Sequence, residues 1–184
     1  VLNIGLDDES GGYLMTKYLL ECGYEHIQVC AGRDNGVDHF RYMGAQRAAK
    51  EFAGKKQKVQ FTALGMNYAK RKESYAWLIQ RKKPKAALFF LSDLYALEAI
   101  SFFSCRGVKI PEEIGIAGYD NISYAEFSVP RLTTISQNVE QKASLAVEIL
   151  MERINGVEKE RENEIMLPVT LIPRRSVQPQ HEEK

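Results

Sequence analysis

Along almost the whole chain, short apolar runs rich in β-branched and aromatic residues alternate with segments whose apolar positions recur at helical spacing. The runs 2–6, 27–31, 59–64, 86–91 and 114–118 read as strands. Strands separated by helices form βαβ units, so the pattern predicts an α/β fold with a doubly wound, mostly parallel sheet. The run AALFFL (86–91) is apolar on both faces, as a central strand covered by helices on each side must be. Between the strands, segment 12–22 places Leu14, Met15, Tyr18, Leu19 and Cys22 on one helical face and stops at Gly23, and segment 38–53 stops at Gly54. Segment 73–81 carries Tyr75, Leu78 and Ile79, while 94–106 carries Leu94, Leu97, Ile100 and Phe103 before Gly107.

After Pro130 the rhythm changes. A short extended segment, 132–136, is followed by an amphipathic helix over 139–154 with the stripe Val139, Ala143, Ala146, Ile149, Leu150 and Ile154, stopped by Asn155-Gly156. A stripe of that size calls for a cover, either a second copy of the chain or its own sheet. A last strand is predicted over 165–172, and the tail SVQPQHEEK (176–184), which has no periodicity, is read as disordered.

Composition narrows the function. A hydrophobic fraction of 45% and a charged fraction of 27% suit a core-forming domain. Lys+Arg and Asp+Glu number 25 and 24, for a net charge of +1. That balance lacks the basic surplus of a nucleic-acid-binding domain, so any DNA contact has to come from elsewhere. No apolar run approaches the roughly 20 residues of a membrane span, and VLNIGLDDE does not resemble a signal peptide, which points to a cytoplasmic setting without membrane contact. Cys22, Cys30 and Cys105, odd in number and widely spaced within apolar segments, read as buried thiols of a reducing compartment. The basic clusters 54–58, 70–73 and 81–85 fall at helix ends and strand entrances and read as solvated faces.

In an open parallel sheet a ligand binds beyond the carboxyl ends of the strands, and the residues there are polar. Asp7-Asp8-Glu9 follows the first strand, Arg33 to Arg41 the second, Asn67 and Tyr68 the third, Ser92-Asp93 the fourth and Tyr119-Asp120-Asn121 the fifth. Carboxylates, a guanidinium, amides and aromatic Phe40, Tyr68 and Tyr119 on one edge suit a polyhydroxylated or heteroaromatic ligand. Asp8, Glu9 and Asp93 are equally explained as helix caps, which is the reading preferred for them; Arg41 and Asp120 are not. Catalytic signatures are absent from the sequence: no GxGxxG, GxxxxGK[ST], GxSxG or HExxH, and His26, His39 and His181 stand apart. No metal or cofactor is therefore expected, and the acidic run 7–9 lacks the companions of a phospho-receiver site.

The run IPEEIGIAGYDNISYAEFSVPRLTTISQ (110–137) closely resembles the signature of lactose-repressor/galactose-repressor family transcription regulators. Other stretches resemble further patterns of that family in the same order. DDESGGYLMTKYLLECGYEHIQVCAG (7–32) is similar to its D-N-x-x-G-G stretch, RYMGAQRA (41–48) to its R-x-x-G-x-x-A, FFLSDLYALEAI (89–100) to its strand plus N-D-x-x-A-x-G, and MLPVTLIPRRSV (166–177) to its closing strand. Periplasmic sugar-binding proteins share the fold, but LPVTLIPRRS is a regulator trait.

The resemblance implies a type I periplasmic-binding-protein-like core of two lobes with a small effector between them, a homodimer, and operator DNA contacted through a helix-turn-helix head that these residues do not contain. Against that frame, 7–136 and 166–175 are expected to form the C-terminal lobe, 1–6 the hinge-proximal end of the N-terminal lobe, 137–165 the return segment to that lobe and 176–184 a polar tail. It also implies an effector-binding role for Arg41 (a clamping guanidinium), Asp120 (an acceptor for hydroxyl or amine hydrogens), Gln137 at the second crossover, Tyr68 for stacking, and Ser92 with Asp93 in place of Asn-Asp. The expected function is an effector-sensing regulator domain rather than an enzyme, with a transport-linked solute-binding protein as the alternative.

Overall fold

A computed structural model describes residues 2–52, 57–157 and 163–179. In chain order the elements are β1 (Asn3–Leu6), α1 (Asp8–Glu21), β2 (His26–Ala31), α2 (Gly36–Phe52), β3 (Lys58–Ala63), α3 (Tyr68–Gln80), β4 (Ala86–Phe90), α4 (Asp93–Ser104), β5 (Gly115–Ala117), α5 (Tyr124–Phe127), β6 (Thr134–Ser136), α6 (Val139–Ile154), β7 (Glu164–Leu167) and β8 (Thr170–Ile172).

Four strands form a parallel sheet in the order β3-β2-β4-β5, with Val29 opposite Phe61 on one side and Phe89 on the other. All five residues of β4 are buried. Its alternation divides the core in two: Ala87, Phe89 and Leu91 join Met15, Leu19, Ile27 and Ala45 on one face, and Ala86, Leu88 and Phe90 join Tyr75, Leu78, Ile100 and Phe103 on the other. Helices thus cover both faces, as the uninterrupted apolar run requires.

β6 continues the sheet beside β5 through bridges from Ala117 to Thr133 and Asp120 to Ser136, and pairs antiparallel with β8. β1 and β7 form a separate parallel pair. The single strand expected over 165–172 is therefore two, divided at Pro168, which has no N–H to give a ladder.

Helix α1 begins at Asp8, four residues before the expected start. Asp7 Oδ1 accepts from Ser10 N–H at 2.9 Å, and Gly11-Gly12, which look like a break in the pattern, are buried helix residues. They allow close packing, since a Cβ on Gly12 would lie 1.8 Å from the Arg41 carbonyl oxygen and one on Gly44 the same distance from that of Glu9. Similarly α3 starts at Tyr68, capped by Asn67, rather than at 73.

Four other expectations change. Ser176 and Val177 belong to the core: Ser176 Oγ donates to the Ile116 carbonyl at 2.5 Å and accepts from Thr133 N–H at 2.8 Å, while 180–184 lie outside the described residues. Cys105 is exposed, unlike Cys22 and Cys30. Arg71, in the cluster read as a solvated face, is buried and grips Glu98 on α4 through two 2.7 Å hydrogen bonds. On α6 only Ile149 of the expected stripe is buried, and Val139, Leu150 and Ile154 face outward rather than folding back on the sheet.

Candidate functional site

The strand order β3-β2-β4-β5 reverses direction between β2 and β4, since the chain leaves β2 toward β3 and then crosses to β4. Such a reversal opens a crevice at the carboxyl ends of the two strands. Arg41, carried by the helix after β2, reaches into that place and donates from Nη1 to the carbonyl of Leu91, the residue just past β4, at 2.8 Å.

The Arg41 side chain is 8% exposed and thoroughly held. Its Nε donates to Asp8 Oδ1 at 2.7 Å, and its guanidinium carbon lies 3.7 Å from the centroid of the Tyr119 ring. The close approach of α1 and α2 at Gly12 and Gly44 makes the first contact possible, because it sets the backbone of Arg41 directly against the first turns of α1. Asp38, three residues earlier on α2, and Asp120 each place Oδ1 3.9 Å from Nη1.

Asp120 gathers the remaining polar groups. Ser92 Oγ donates to its Oδ2 at 3.1 Å and Gln137 Nε2 to its Oδ1 at 2.6 Å, bringing residues after β4, β5 and β6 to one carboxylate. The backbone of Asp120 has a φ of 115°, a region a side-chain-bearing residue adopts only when its surroundings impose it. Burial pushes the carboxyls of Asp38 and Asp120 above their ordinary values, against the pull of Arg41. Directional acceptors beside a rigid, flat cation can bind a ligand's hydroxyl or amine hydrogens.

Of the six residues expected at an effector site, Arg41, Asp120, Gln137 and Ser92 are brought together. Asp93 is not at the surface. It is fully buried, with Oδ1 accepting from Thr134 Oγ1 at 2.6 Å and Oδ2 from Ile122 N–H at 3.0 Å, and burial raises its carboxyl to about 7. It braces the turn after β5. Tyr68 stands at the start of α3 beside the edge strand β3, half exposed, with the Lys72 ammonium 5.1 Å from its ring centroid. Phe40 is exposed, whereas Tyr119 is buried as the platform under Arg41.

Two participants were not selected from the sequence. Asp8 reads there as a cap, but Asp7 does the capping and Asp8 pairs with Arg41. Asp38 carries one sequence signal, its i,i+3 spacing to Arg41. Among the described residues no group of three or more His, Cys, Asp or Glu is arranged to hold a metal ion, and no helix is long and apolar enough to cross a membrane.

Residues 16–177 match the family model of the periplasmic binding protein-like domain. The HTH-type transcriptional repressor PurR of Haemophilus influenzae is 34% identical over 180 residues, covering 94% of this chain and 53% of that protein. LacI family transcriptional regulators from Enterococcus faecium and Enterococcus faecalis V583, both solved with bound ribose, superpose with TM-scores of 0.83 and 0.82 at 28% and 30% identity. Each alignment covers 97% of this chain, and 66% and 64% of the respective regulator. The chain spans about half the length of the curated relatives it matches.

Proposed function

The chain belongs to the periplasmic binding protein-like domain family and, within it, to the effector-binding domains of lactose-repressor/galactose-repressor regulators; from that premise we propose that it senses a small polar, sugar-like metabolite for a cytoplasmic bacterial transcription regulator. The observation that carries the reading is the convergence of Arg41, Asp120, Ser92 and Gln137 at the point where the sheet order reverses. Ribose occupies two regulators of the same fold, which supports a polyhydroxyl compound as the ligand class.

The role is binding rather than turnover: the guanidinium and carboxylates satisfy one another and leave acceptor capacity for a ligand, instead of activating a nucleophile. In the full regulator these residues form one wall of a cleft, with 1–6 and 137–165 leading to the lobe that supplies the other. Closure on the effector repositions the two lobes of a homodimer, and a separate head carries that change to operator DNA.

A thermal-shift and calorimetric screen of sugars, sugar phosphates and nucleobases on the full regulator tests the reading. A compound that binds the parent and is lost in Asp120→Ala supports it; binding untouched by Asp120→Ala refutes the site.

A further inference from the structure

Asp8, Asp38 and Asp120 share the single guanidinium of Arg41, a formal excess of two negative charges at the crevice. We propose that this arrangement makes the site selective for an uncharged or amine-bearing polyhydroxyl compound, and that it rejects the phosphorylated or carboxylated form of the same compound. The inference rests on the effector-site reading above and adds the charge class of the ligand to it.

An anion arriving here would need donors, and several of those around the crevice are already engaged, Nη2 of Arg41 being the exception on that side chain. Arg41 spends Nε on Asp8 and Nη1 on the Leu91 carbonyl, and one face of the guanidinium lies on Tyr119. The backbone N–H groups of Leu91, Asp93 and Asp120 bond to the carbonyls of Cys30, Tyr119 and Ile135. Arg174 is occupied by the Leu132 carbonyl and the Asn121 side chain. Helix N-termini commonly attract anions, but the first turns of α1, α2 and α4 contain Asp8 with Glu9, Asp38 and Asp93 respectively.

Two residues of the crevice act in the same direction: Asp8 brings a third carboxylate, and Ser92 offers a single hydroxyl that already donates to Asp120. What the site retains is acceptor capacity on Asp38 and Asp120, whose side chains are 27% and 29% exposed. Hydroxyl and ammonium hydrogens match it; a phosphate would meet like charge in a half-desolvated crevice, an expensive juxtaposition.

The test is calorimetry on the full regulator with matched compounds: ribose and ribose 5-phosphate; glucose, glucosamine and glucose 6-phosphate; adenosine and AMP. The expected result is that the phosphate of any bound compound is weaker by roughly 100-fold or more, with Asp38→Asn narrowing that gap several-fold. A phosphate that binds as tightly as its parent overturns the proposal.

Should no compound in the panel bind, amide relaxation by a cationic and an anionic nitroxide co-solute decides it. The cation should act more strongly on the amides of Asp8, Asp38, Asp120 and Gln137. The start of α3, which has no acidic residue in its first turn, should show less of that preference. Equal or greater relaxation by the anion at the four amides overturns the charge assignment. Failure of the effector-site reading appears separately, as a bound compound whose affinity Asp120→Ala leaves unchanged.

Discussion

Arg41 and Asp8 are 33 positions apart in the chain, and the Nε–H of the first donates to Oδ1 of the second at 2.7 Å, with both side chains largely buried. The pair locks α2 to the start of α1 and fixes the guanidinium over Tyr119, so the same contact serves the fold and the crevice.

The two central residues should therefore respond differently to truncation. Arg41→Ala leaves the carboxylate of Asp8 and the carbonyl of Leu91 without their donor. Losing one partner of a buried pair costs about 3 kcal/mol, and a domain of this size should lose roughly 6–12 °C in melting temperature. Asp120→Ala removes a carboxyl that is 29% exposed and should lower the melting temperature less. Both variants should weaken effector binding by about 30- to 150-fold. Calorimetry together with thermal unfolding separates the two effects; equal melting temperatures for the variants would show that Arg41 is not a fold-bearing residue.

Glycine replacement tests the helix contact that places Arg41. In an ordinary helix interior Gly→Ala gains up to about 1 kcal/mol. At Gly12 and Gly44 the added Cβ would stand 1.8 Å from a backbone carbonyl oxygen of the facing helix, which cannot rotate away. Gly12→Ala and Gly44→Ala should each destabilise by several kcal/mol, whereas Gly32→Ala, with nothing within 4 Å, should stay within about 0.5 kcal/mol of the parent. Urea unfolding of the three variants checks the ordering.

The sheet and its covering helices were readable because their signals are local. An apolar run such as 86–90 or the 3.6-residue spacing of Tyr75, Leu78 and Ile79 carries its burial in its own pattern. Arg41 and Asp120 were found through the family resemblance and their place after strands. Asp7 and Asp8 are equally good caps in sequence, and what separates them is that Asp7 accepts from Ser10 N–H while Asp8 pairs with a residue 33 positions away. The resemblance puts Asp93 in the crevice beside Ser92, whereas at the first position of α4 its carboxyl accepts from Thr134 Oγ1 and Ile122 N–H. Ser176 reads as part of a polar tail because hydrogen bonding to Ile116 and Thr133 leaves no trace in hydropathy.

Asp93 should impose a pH dependence on stability. Burial raises its carboxyl from 3.8 to about 7 in the folded protein. Between those values the folded state keeps a proton that the unfolded chain has released, so its contribution is full below about pH 4 and is lost as pH rises through 7. The slope approaches about 1.4 kcal/mol per pH unit in mid-window. Glu98, held below its ordinary value by Arg71, acts with the opposite sign at lower pH, and Asp38 and Asp120 act with the same sign. Subtracting Asp93→Asn isolates the effect, because an amide can accept from Ile122 N–H and donate to Thr134 Oγ1. Denaturant unfolding from pH 4 to 8 should show a steeper decline for the parent, and parallel curves would refute the assignment.

On α6 two adjacent apolar residues predict opposite outcomes. Ile149 is 8% exposed and Leu150 57% exposed, although helical spacing alone assigned both to one stripe. A helix turns 100° per residue, so neighbours can lie on either side of the boundary between a covered and an open face. Glu at 149 would bury a carboxylate without a partner and displace an isoleucine that fills its site; Glu at 150 would add a charge where the side chain already meets water. Ile149→Glu should cost several kcal/mol, and Leu150→Glu about 0.5 kcal/mol or less. Hydrogen exchange resolves which part yields: the first variant should deprotect the amides of α6 ahead of those of β2 and β4, since Ile149 belongs to neither of the two core clusters around the main sheet. Equal stability of the two variants would place the covered side of the helix elsewhere.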